Sequence, residues 1–547
     1  MLRLPARLAL LMVVPASLVS SQRPPAQPFD ALEATIDEVH TAFDAGRLTC
    51  RALVQQYLDR IAAYDKQGPA LNAIQHVNAR ALALADSLDG VHRASRRAKP
   101  RTPLGRLHCV PVMLKDQVET RTMPTTYGSA IFAQFVPKRD ATIVQRLEGA
   151  GAIILAKTTM GEFAQRFVGS GSGIIRNAYD PTRNPSGSSG GSASAVAANF
   201  GLVGIGEDTG GSIRGPAAVS SLVGLRPTLP LVSRFGMLPA NPTQDTMGPM
   251  TRTVADAARV LDVIAGYDAN DPITAYTVGH IPESYRNGLR PDALKGARVA
   301  ILRTPRRMPS ARAATSGDTA AARRDSLARE TEAEYAKVRA IMTRTVAELR
   351  AAGATVIDSV SLPAIPGREV SNDFETEEAT DAYLAQHPNA PVKTLKEILL
   401  TGPVNPWRAR SLIGYIGKTT RDPDYLVVQQ RREATRVALL KLMADLQLDA
   451  VIYNTYDAPP TVIAADVLTN PRPNDGYGRG DNRGLSPTTG FPAITVPAGF
   501  TDNVLPVGLE FLGRPFSEPR LLALAYAYEQ ATRHRRPPAT TPSLLHR

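Results

Sequence analysis

Two neighbouring stretches of serine and glycine have residue types that could do chemistry. Residues 184–197 read NPSGSSGGSASAVA, and the chain continues through small apolar residues to EDTGGSIRG at 207–215. A flexible linker would be flanked by polar sequence, whereas this context is typical of a protein core. Glycines among small apolar residues indicate turns or close backbone approach. We therefore interpret these stretches as one packed, glycine-shaped site.

Three kinds of chemistry use glycines in this way. Phosphate binding would require the Gly-Lys-Ser or Gly-Lys-Thr of a P-loop, which is absent, and GIGEDTGG is only a defective dinucleotide fingerprint. An α/β-hydrolase elbow, G-x-S-x-G, is matched by GSSGG at 187–191, centred on Ser189. The elbow requires an acid and then a histidine downstream, and none of the later histidines lies in a compact motif with an acid: His280, His387, His534 and His546. We favour the third chemistry, a serine nucleophile whose base is not histidine.

The elements that must position such a site alternate along the chain. Beyond residue 100, helical patterns alternate with short apolar runs, at 152–157, 202–206, 297–302, 449–453 and 492–499. This alternation predicts an α/β fold with helices covering a sheet. A long helix is predicted from Ser326 to Gly353, after an arginine-rich segment at 305–325 that we interpret as a surface insertion. The turn-rich residues 471–484 are predicted to form a loop.

Composition and charge limit what kind of protein this is. The chain has 547 residues, of which 43% are hydrophobic, so it can bury a large core. Its net charge of +12 falls largely in segments that we interpret as loops and termini, and no nucleic-acid-binding motif accompanies it, so no nucleic-acid partner is expected. Cys50 and Cys109 are the only cysteines, and two separately buried thiols are favoured over a bridge.

The N-terminus has the pattern of a secretory signal peptide. Residues 1–21 contain two arginines, a short apolar run and then small residues, and the run is too short to span a bilayer. We expect cleavage near Ser20 or Ser21, and a secreted or periplasmic protein. No cysteine lies near that point and no later stretch has membrane-spanning length, so no stable membrane anchor is expected.

One family resemblance is specific. Residues 187–228, GSSGGSASAVAANFGLVGIGEDTGGSIRGPAAVSSLVGLRPT, resemble the signature segment of the amidase signature family. Other segments resemble that family in the same order, among them LHCVPVMLKDQVET at 107–120 and TQDTMGPMTRTVADAARVLDVIAG at 243–266. The resemblance implies a large mixed, twisted β-sheet covered on both faces by α-helices. It divides the chain into a signal peptide, a linker at 22–30, an amidase domain at 31–540 and a tail at 541–547.

The resemblance also implies the catalytic residues. The nucleophile corresponds to Ser212, the bridging serine to Ser188 and the base to Lys115. The oxyanion hole corresponds to the backbone N–H groups of four consecutive residues: Thr209, Gly210, Gly211 and Ser212. In the family a cis peptide precedes the bridging serine, and we expect one here between Gly187 and Ser188.

These residue types suit the implied chemistry. A serine hydroxyl needs a group to accept its proton, and Lys115 can do so only when it is neutral. Its apolar flanks indicate a buried strand, where desolvation lowers a lysine pKa. Lys115 would accept the proton of Ser188, which would accept that of Ser212 as it attacks an amide. This mechanism requires no metal or organic cofactor.

The neighbouring residues are given structural roles. We expect Asp208 and Arg214 to orient the nucleophile loop, and Ser189, Ser192, Asp245 and His108 to be packing or hydrogen-bonding residues. Ser186 and Cys109 stand where the family commonly has glycine.

The function that the sequence predicts is an exported amidase. It would hydrolyse a carboxamide to a carboxylate and ammonia or an amine, with peptide C-terminal amides favoured as substrates. Aryl-acylamide, fatty-amide and carbamate hydrolysis stay open, as does a catalytically silent amide-binding protein. An export signal argues against the intracellular A subunit of glutamyl-tRNA amidotransferase. The expected partner is a small-molecule or peptide amide, and homodimers, which occur in the family, remain open.

Overall fold

A computed structural model describes residues 29–100, 102–303, 318–367, 370–473 and 482–545. The predicted signal peptide, most of the linker, the first part of the predicted insertion and the end of the tail therefore lie outside the described residues. Within them the chain forms α-helices and β-strands with short 3₁₀ turns. In the described ranges no helix is both long and apolar enough to cross a membrane.

One sheet of eleven strands organises the molecule. In chain order the strands of the described chain are β1 (Ile74–Val77), β2 (Pro111–Lys115), β3 (Ile153–Thr158), β4 (Val168–Gly169), β5 (Gly173–Ile174), β6 (Val203–Asp208), β7 (Val223–Arg226), β8 (Thr246–Thr251), β9 (Arg298–Leu302), β10 (Thr355–Val360), β11 (Ala450–Asn454), β12 (Ala493–Thr501) and β13 (Leu505–Leu512). The spatial order is β1-β3-β2-β6-β8-β7-β12-β13-β11-β9-β10, and β4 and β5 form a separate hairpin. Parallel pairs join β3, β2 and β6 and also β10, β9 and β11, whereas the other neighbours are antiparallel.

Helices cover both faces of this mixed sheet. They are α1 (Ile36–Asp44), α2 (Cys50–Tyr64), α3 (Ala81–Arg97), α4 (Thr142–Gly149), α5 (Gly190–Ala197), α6 (Arg214–Ala218), α7 (Val254–Ile264), α8 (Asp318–Ala351), α9 (Thr376–Ala385), α10 (Leu395–Thr401), α11 (Pro406–Ile413), α12 (Pro423–Asp445), α13 (Leu485–Thr489) and α14 (Glu518–Thr532). The short α5 and α6 pack on strands of the sheet; α7, α8 and α14 also pack on the sheet, and α14 packs on both α7 and α8. The predicted fold class is confirmed.

The apolar runs became strands because burial on both faces suits continuous apolar sequence. All five predicted runs form strands, and every residue of β3, β6 and β11 is buried. One boundary differs from the prediction: α8 begins at Asp318 rather than at Ser326. The last residues of the predicted insertion thus belong to this helix, because alanine and arginine favour helix even without a clear apolar face.

The prediction of two separate thiols is wrong. Cys50, at the start of α2, and Cys109, just before β2, form a disulfide with their Cα atoms 5.7 Å apart. They are separated by 59 residues in the chain, so only the packing of α2 beside the entry to β2 brings them together. Sequence spacing carries no information about that packing.

This disulfide is expected to contribute strongly to stability. Replacing both cysteines by serine should lower the free energy of unfolding by about 4 kcal/mol, because the bridge closes a loop of 59 residues in the unfolded chain. Urea unfolding of the oxidised protein and of the variant checks this value. Reduced wild-type protein is the control and should match the variant. Two titratable thiols in the denatured, unreduced protein would contradict the bridge.

Candidate active site

Lys115 and Ser188 lie together at the end of β2. Lys115 ends β2 and is fully buried, and its Nζ lies 2.7 Å from Ser188 Oγ. The same Nζ lies 2.7 Å from Glu207 Oε2 and 3.4 Å from the Glu207 carbonyl oxygen. Glu207 is in β6, and parallel pairing of β2 with β6 brings these residues to the same edge. The structure therefore joins two of the three predicted catalytic side chains.

The backbone before Ser188 has the predicted form. The Gly187–Ser188 peptide is cis. A Cβ on Gly187 would overlap the Arg166 carbonyl group, so only glycine fits there. Ser189 follows, and its Oγ lies 3.1 Å from the Glu207 carbonyl oxygen and 3.2 Å from the Glu207 amide nitrogen. The Ser189 hydroxyl thus bonds the backbone of β6, which supports a structural role rather than a hydrolase elbow.

Ser212 lies in the wall of a cavity of about 500 Å³. It is half-buried, and Gly187, Thr209 and Gly210 line the same cavity. Lys115 and Ser188 have no exposed surface. The arrangement has one serine open to a ligand and a buried lysine–serine pair inside the protein.

Asp208 holds the loop that carries Ser212. Its carboxylate accepts the Gly211 N–H at 2.7 Å and the Ile213 N–H at 3.1 Å. Arg214 Nε lies 3.1 Å from the same carboxylate, and Nη1 of Arg214 pairs with Glu510 on β13. Asp208 and Arg214 therefore orient the loop, as predicted.

This geometry corrects one of the predicted oxyanion donors. The Gly211 N–H is engaged by Asp208, and Gly211 is not in the cavity wall. Its φ of +122°, which suits glycine, turns the chain around the Asp208 carboxylate. Thr209, Gly210 and Ser212 line the cavity, so their N–H groups remain the candidates.

Asp208 is expected to be one of the main stabilising charges. Burial opposes its ionisation, but Arg214 and Arg226 hold the pKa of its carboxyl well below the ordinary value. Asp208→Asn should lower the free energy of unfolding by about 3–5 kcal/mol near neutral pH, because it removes the carboxylate that the buried Arg214 and Arg226 share and leaves Arg214 paired with Glu510 alone. Urea unfolding measures the loss. Asp86→Asn, in an exposed ion pair, is the control and should change stability little.

The sign of the pH dependence follows from the lowered pKa. The contribution of Asp208 is fully present above the pKa of an unfolded aspartate and is lost as the pH falls through the lower folded value. The difference between wild type and Asp208→Asn should therefore shrink in acid. A difference that grows in acid would contradict this role.

Sequence reasoning missed Glu207. It links Lys115 to a second acid, because Thr209 Oγ1 lies 2.6 Å from Glu207 Oε1 and 2.7 Å from Asp245 Oδ1. Burial and the nearby Glu207 raise the pKa of Asp245 to about 7. Burial lowers the pKa of Lys115, against the attraction of Glu207. The available signal was an acid at the end of the otherwise apolar strand VGIGED.

The remaining wall of the cavity is basic and aromatic. Arg166, Arg408 and Arg483 line it, and no aspartate or glutamate of the described chain does. The Arg166 guanidinium lies 4.9 Å from the Trp407 ring, and that of Arg483 lies 3.8 Å from the Tyr456 ring. These residues lie far apart in the sequence, which offered no signal that they meet.

The other expected structural residues pack as predicted. The ring of His108 lies 6.4 Å from Phe43 and 6.0 Å from His92, and burial lowers its pKa to about 4. Ser192 Oγ lies 3.2 Å from the Ile205 carbonyl oxygen. Among the described residues no group of histidine, cysteine, aspartate and glutamate side chains could hold a metal ion.

Known proteins resemble this chain over most of its length. The family model described as Amidase matches residues 52–522. A protein named probable amidase in Arabidopsis thaliana is 32% identical over 93% of this chain and 92% of its own length. The A subunit of glutamyl-tRNA(Gln) amidotransferase from an Exiguobacterium species is 32% identical over 91% of this chain and 97% of its own.

Solved structures indicate the same family as the sequence comparisons. The native peptide amidase of Stenotrophomonas maltophilia is 35% identical, with a TM-score of 0.78 over 93% of this chain and 99% of its own. A peptide amidase in complex with the competitive inhibitor chymostatin gives the same identity and TM-score. This chain therefore belongs to the amidase family, whose signature segment it carries, and it is an amide-hydrolysing enzyme.

Proposed function

We propose that this enzyme is an exported serine amidase that works through Ser212, Ser188 and Lys115. The observation that carries the proposal is the 2.7 Å contact of Lys115 Nζ with Ser188 Oγ, next to a cavity whose wall contains Ser212. A buried lysine next to a serine hydroxyl is the arrangement needed for a base that is not histidine.

In the proposed mechanism the proton moves through Ser188. Ser212 Oγ bonds to the amide carbonyl carbon while its proton passes to Ser188 and that of Ser188 passes to neutral Lys115. The backbone N–H groups that line the cavity would stabilise the oxyanion, and single donors of this kind typically contribute about 3–4 kcal/mol. The C–N bond then breaks, and the proton returns through Ser188 to the leaving nitrogen. Water repeats the cycle on the acyl-enzyme and releases the acid.

Peptide C-terminal amides are the proposed substrates. The two structures with a TM-score of 0.78 are both peptide amidases, and they are more similar to this chain than the solved A subunit of glutamyl-tRNA amidotransferase, with a TM-score of 0.63. The cavity of about 500 Å³ has room for a terminal residue and its neighbour.

The charge of the cavity predicts a preference among these substrates. Peptide amides with a neutral or acidic terminal side chain should be hydrolysed with a kcat/KM at least about tenfold higher than those ending in lysine or arginine, because like charges repel in a partly desolvated site. Ammonia release from a series of dipeptide amides measures this. Arg166→Gln, at the cavity wall, should narrow the difference. A preference for basic terminal residues would contradict the proposed effect of the cavity charge, and hydrolysis of none of these peptide amides would contradict the proposed substrate class.

Export is part of the proposal because two observations support it. Residues 1–21 have the composition of a signal peptide. The Cys50–Cys109 disulfide suits an oxidising compartment, since such bonds are rare where thiols are kept reduced. Expression with the native N-terminus, followed by fractionation and intact-mass measurement, tests this. A cytoplasmic protein that retains residues 1–21 would overturn it.

A further inference from the structure

A single hydroxyl group joins two buried carboxyl groups behind the nucleophile. Thr209 Oγ1 lies within hydrogen-bond distance of Glu207 Oε1 and of Asp245 Oδ1, and both acids are buried. A hydroxyl has one hydrogen, so it can donate to only one of them. The other contact is a hydrogen bond only if that carboxyl carries a proton and donates to Thr209. Both contacts are hydrogen bonds at the same time only if the two acids hold one proton between them.

Lys115 imposes a similar condition at the other end. Its Nζ is within hydrogen-bond distance of Ser188 Oγ, Glu207 Oε2 and the Glu207 carbonyl oxygen. An ammonium group can donate to all three. A neutral amine has two hydrogens, which it can donate to Glu207 Oε2 and to the Glu207 carbonyl oxygen. Its lone pair then faces Ser188. Only this neutral form can accept the serine proton.

We propose that Glu207 is a positioning residue for Lys115, and that Glu207 and Asp245 exchange one proton through Thr209 when Lys115 becomes neutral. This inference rests on the proposed function, because it assumes that Lys115 is the base. We call the four side chains of Lys115, Glu207, Thr209 and Asp245 the proton chain.

The proton chain has two arrangements in which these hydrogen bonds are satisfied. In the resting arrangement, protonated Asp245 donates to Thr209, Thr209 donates to ionised Glu207, and Lys115 is an ammonium ion. In the active arrangement, protonated Glu207 donates to Thr209, Thr209 donates to ionised Asp245, and Lys115 is a neutral amine.

The conversion balances with the release of one proton to solvent. An N–H bond of Lys115 and the O–H bond of Asp245 break, and an O–H bond of Glu207 forms, while the hydroxyl hydrogen of Thr209 changes acceptor. The net charge of the proton chain changes from zero to −1. No oxidant, reductant or other reactant is required.

The backbone favours Asp245 as the site of the remaining charge. Asp245 Oδ2 accepts the N–H groups of Ala240 and Asn241, each at 2.8 Å. Once Lys115 is neutral, Glu207 no longer has the ammonium group that lies 2.7 Å from its carboxylate. A carboxylate with two backbone N–H donors is more stable than one without them.

Other charged groups face the proton chain and are unchanged in the experiment below. Asp208, next to Glu207 on β6, acts on Lys115 of β2, and Arg226 on β7 faces both Glu207 and Asp245. Arg234 acts on Asp245 from the loop after β7. Because Lys115 contacts Glu207, and Thr209 joins Glu207 to Asp245, the acid limb of the pH–rate profile belongs to the proton chain and not to Lys115 alone.

Two isosteric variants should shift that limb in opposite directions. Asn at 245 can donate to Thr209 as protonated Asp245 does, so Asp245→Asn holds the resting arrangement and should move the limb to higher pH by about one unit or more. Gln at 207 can donate to Thr209 as protonated Glu207 does and removes the counter-charge of the ammonium group. Glu207→Gln should therefore move the limb to lower pH by about one unit or more.

The experiment follows the labelling of Ser212 by a fluorophosphonate over a range of pH, with intact mass as the readout. This reagent reports activation of the serine without an amide substrate, and kcat/KM on a peptide amide is measured in parallel. No labelling of wild type would refute the proposed catalytic serine. Labelling of both variants with the wild-type limb would refute the proton chain and leave the serine in place. If Glu207 and Asp245 have only a structural role, both variants should lower the labelling rate at every pH, and the acid limb should not shift in opposite directions.

A measurement on wild type keeps the proposal testable if either variant fails to fold. Infrared difference spectra between acid and alkaline pH, with ¹³C-labelled aspartate in one sample and ¹³C-labelled glutamate in another, assign the protonated carboxyl. Its C=O band should belong to aspartate in acid and to glutamate in alkali. A band from aspartate that disappears with no glutamate band replacing it would overturn the exchange.

Discussion

Ser212→Ala should remove amide hydrolysis, with kcat lowered by about a millionfold, because the hydroxyl that forms the acyl-enzyme is absent. The side chain is half-buried in the cavity wall, so the fold and the stability should change little. Ammonia release and fluorophosphonate labelling measure the loss.

Ser189→Ala is the matched control for this experiment. Ser189 lies one residue after the cis peptide, but its hydroxyl bonds the backbone of β6. The Ser189→Ala variant should therefore retain fluorophosphonate labelling at Ser212 and most of the amidase activity. Loss of labelling in Ser189→Ala with retention in Ser212→Ala would restore the hydrolase elbow and overturn the assignment of the nucleophile.

Lys115→Met should lower kcat by about 10²–10⁴-fold, because methionine has a side chain of similar length at the end of β2 but cannot accept a proton. The variant also leaves Glu207 buried without the cation that lies 2.7 Å from its carboxylate. Removing one partner of a buried pair costs about 3–5 kcal/mol when the other stays charged. Kinetics and urea unfolding measure the two effects separately.

The double variant Lys115→Met/Glu207→Gln separates the roles of these residues. It removes both charges, so it should recover stability relative to Lys115→Met, while its kcat should stay as low as that of Lys115→Met. Ser188→Ala combined with Lys115→Met should cost little more activity than either change alone, since residues that act as a unit are not additive. Full activity in Lys115→Met/Glu207→Gln would refute Lys115 as the base.

Much of the fold could be predicted because its signals are local. Strands buried on both faces require continuous apolar runs, and β3, β6, β9, β11 and β12 were visible for that reason. The start of α8 was placed too late because its first turns lack a clear apolar period, and helix propensity decided instead.

The candidate site, like the fold, could be predicted from the sequence only in part. The serine and glycine stretches showed where the backbone must turn tightly, and the family resemblance identified Ser212, Ser188 and Lys115. Glu207 was overlooked, because its contacts with Lys115 and with the Thr209 hydroxyl arise only where neighbouring strands meet. Asp245 was expected to form hydrogen bonds, and it does so with Thr209, Ala240 and Asn241.

By itself, the sequence determined the fold class and the positions of the main strands, and it predicted a glycine-shaped site with a serine nucleophile. These depend on residue type and spacing along the chain. Only the tertiary structure decided the Cys50–Cys109 bridge, the engagement of Gly211 by Asp208 and the basic cavity wall. Each depends on side chains that are distant in sequence or on the direction of one N–H group, which the packing of strands and helices sets.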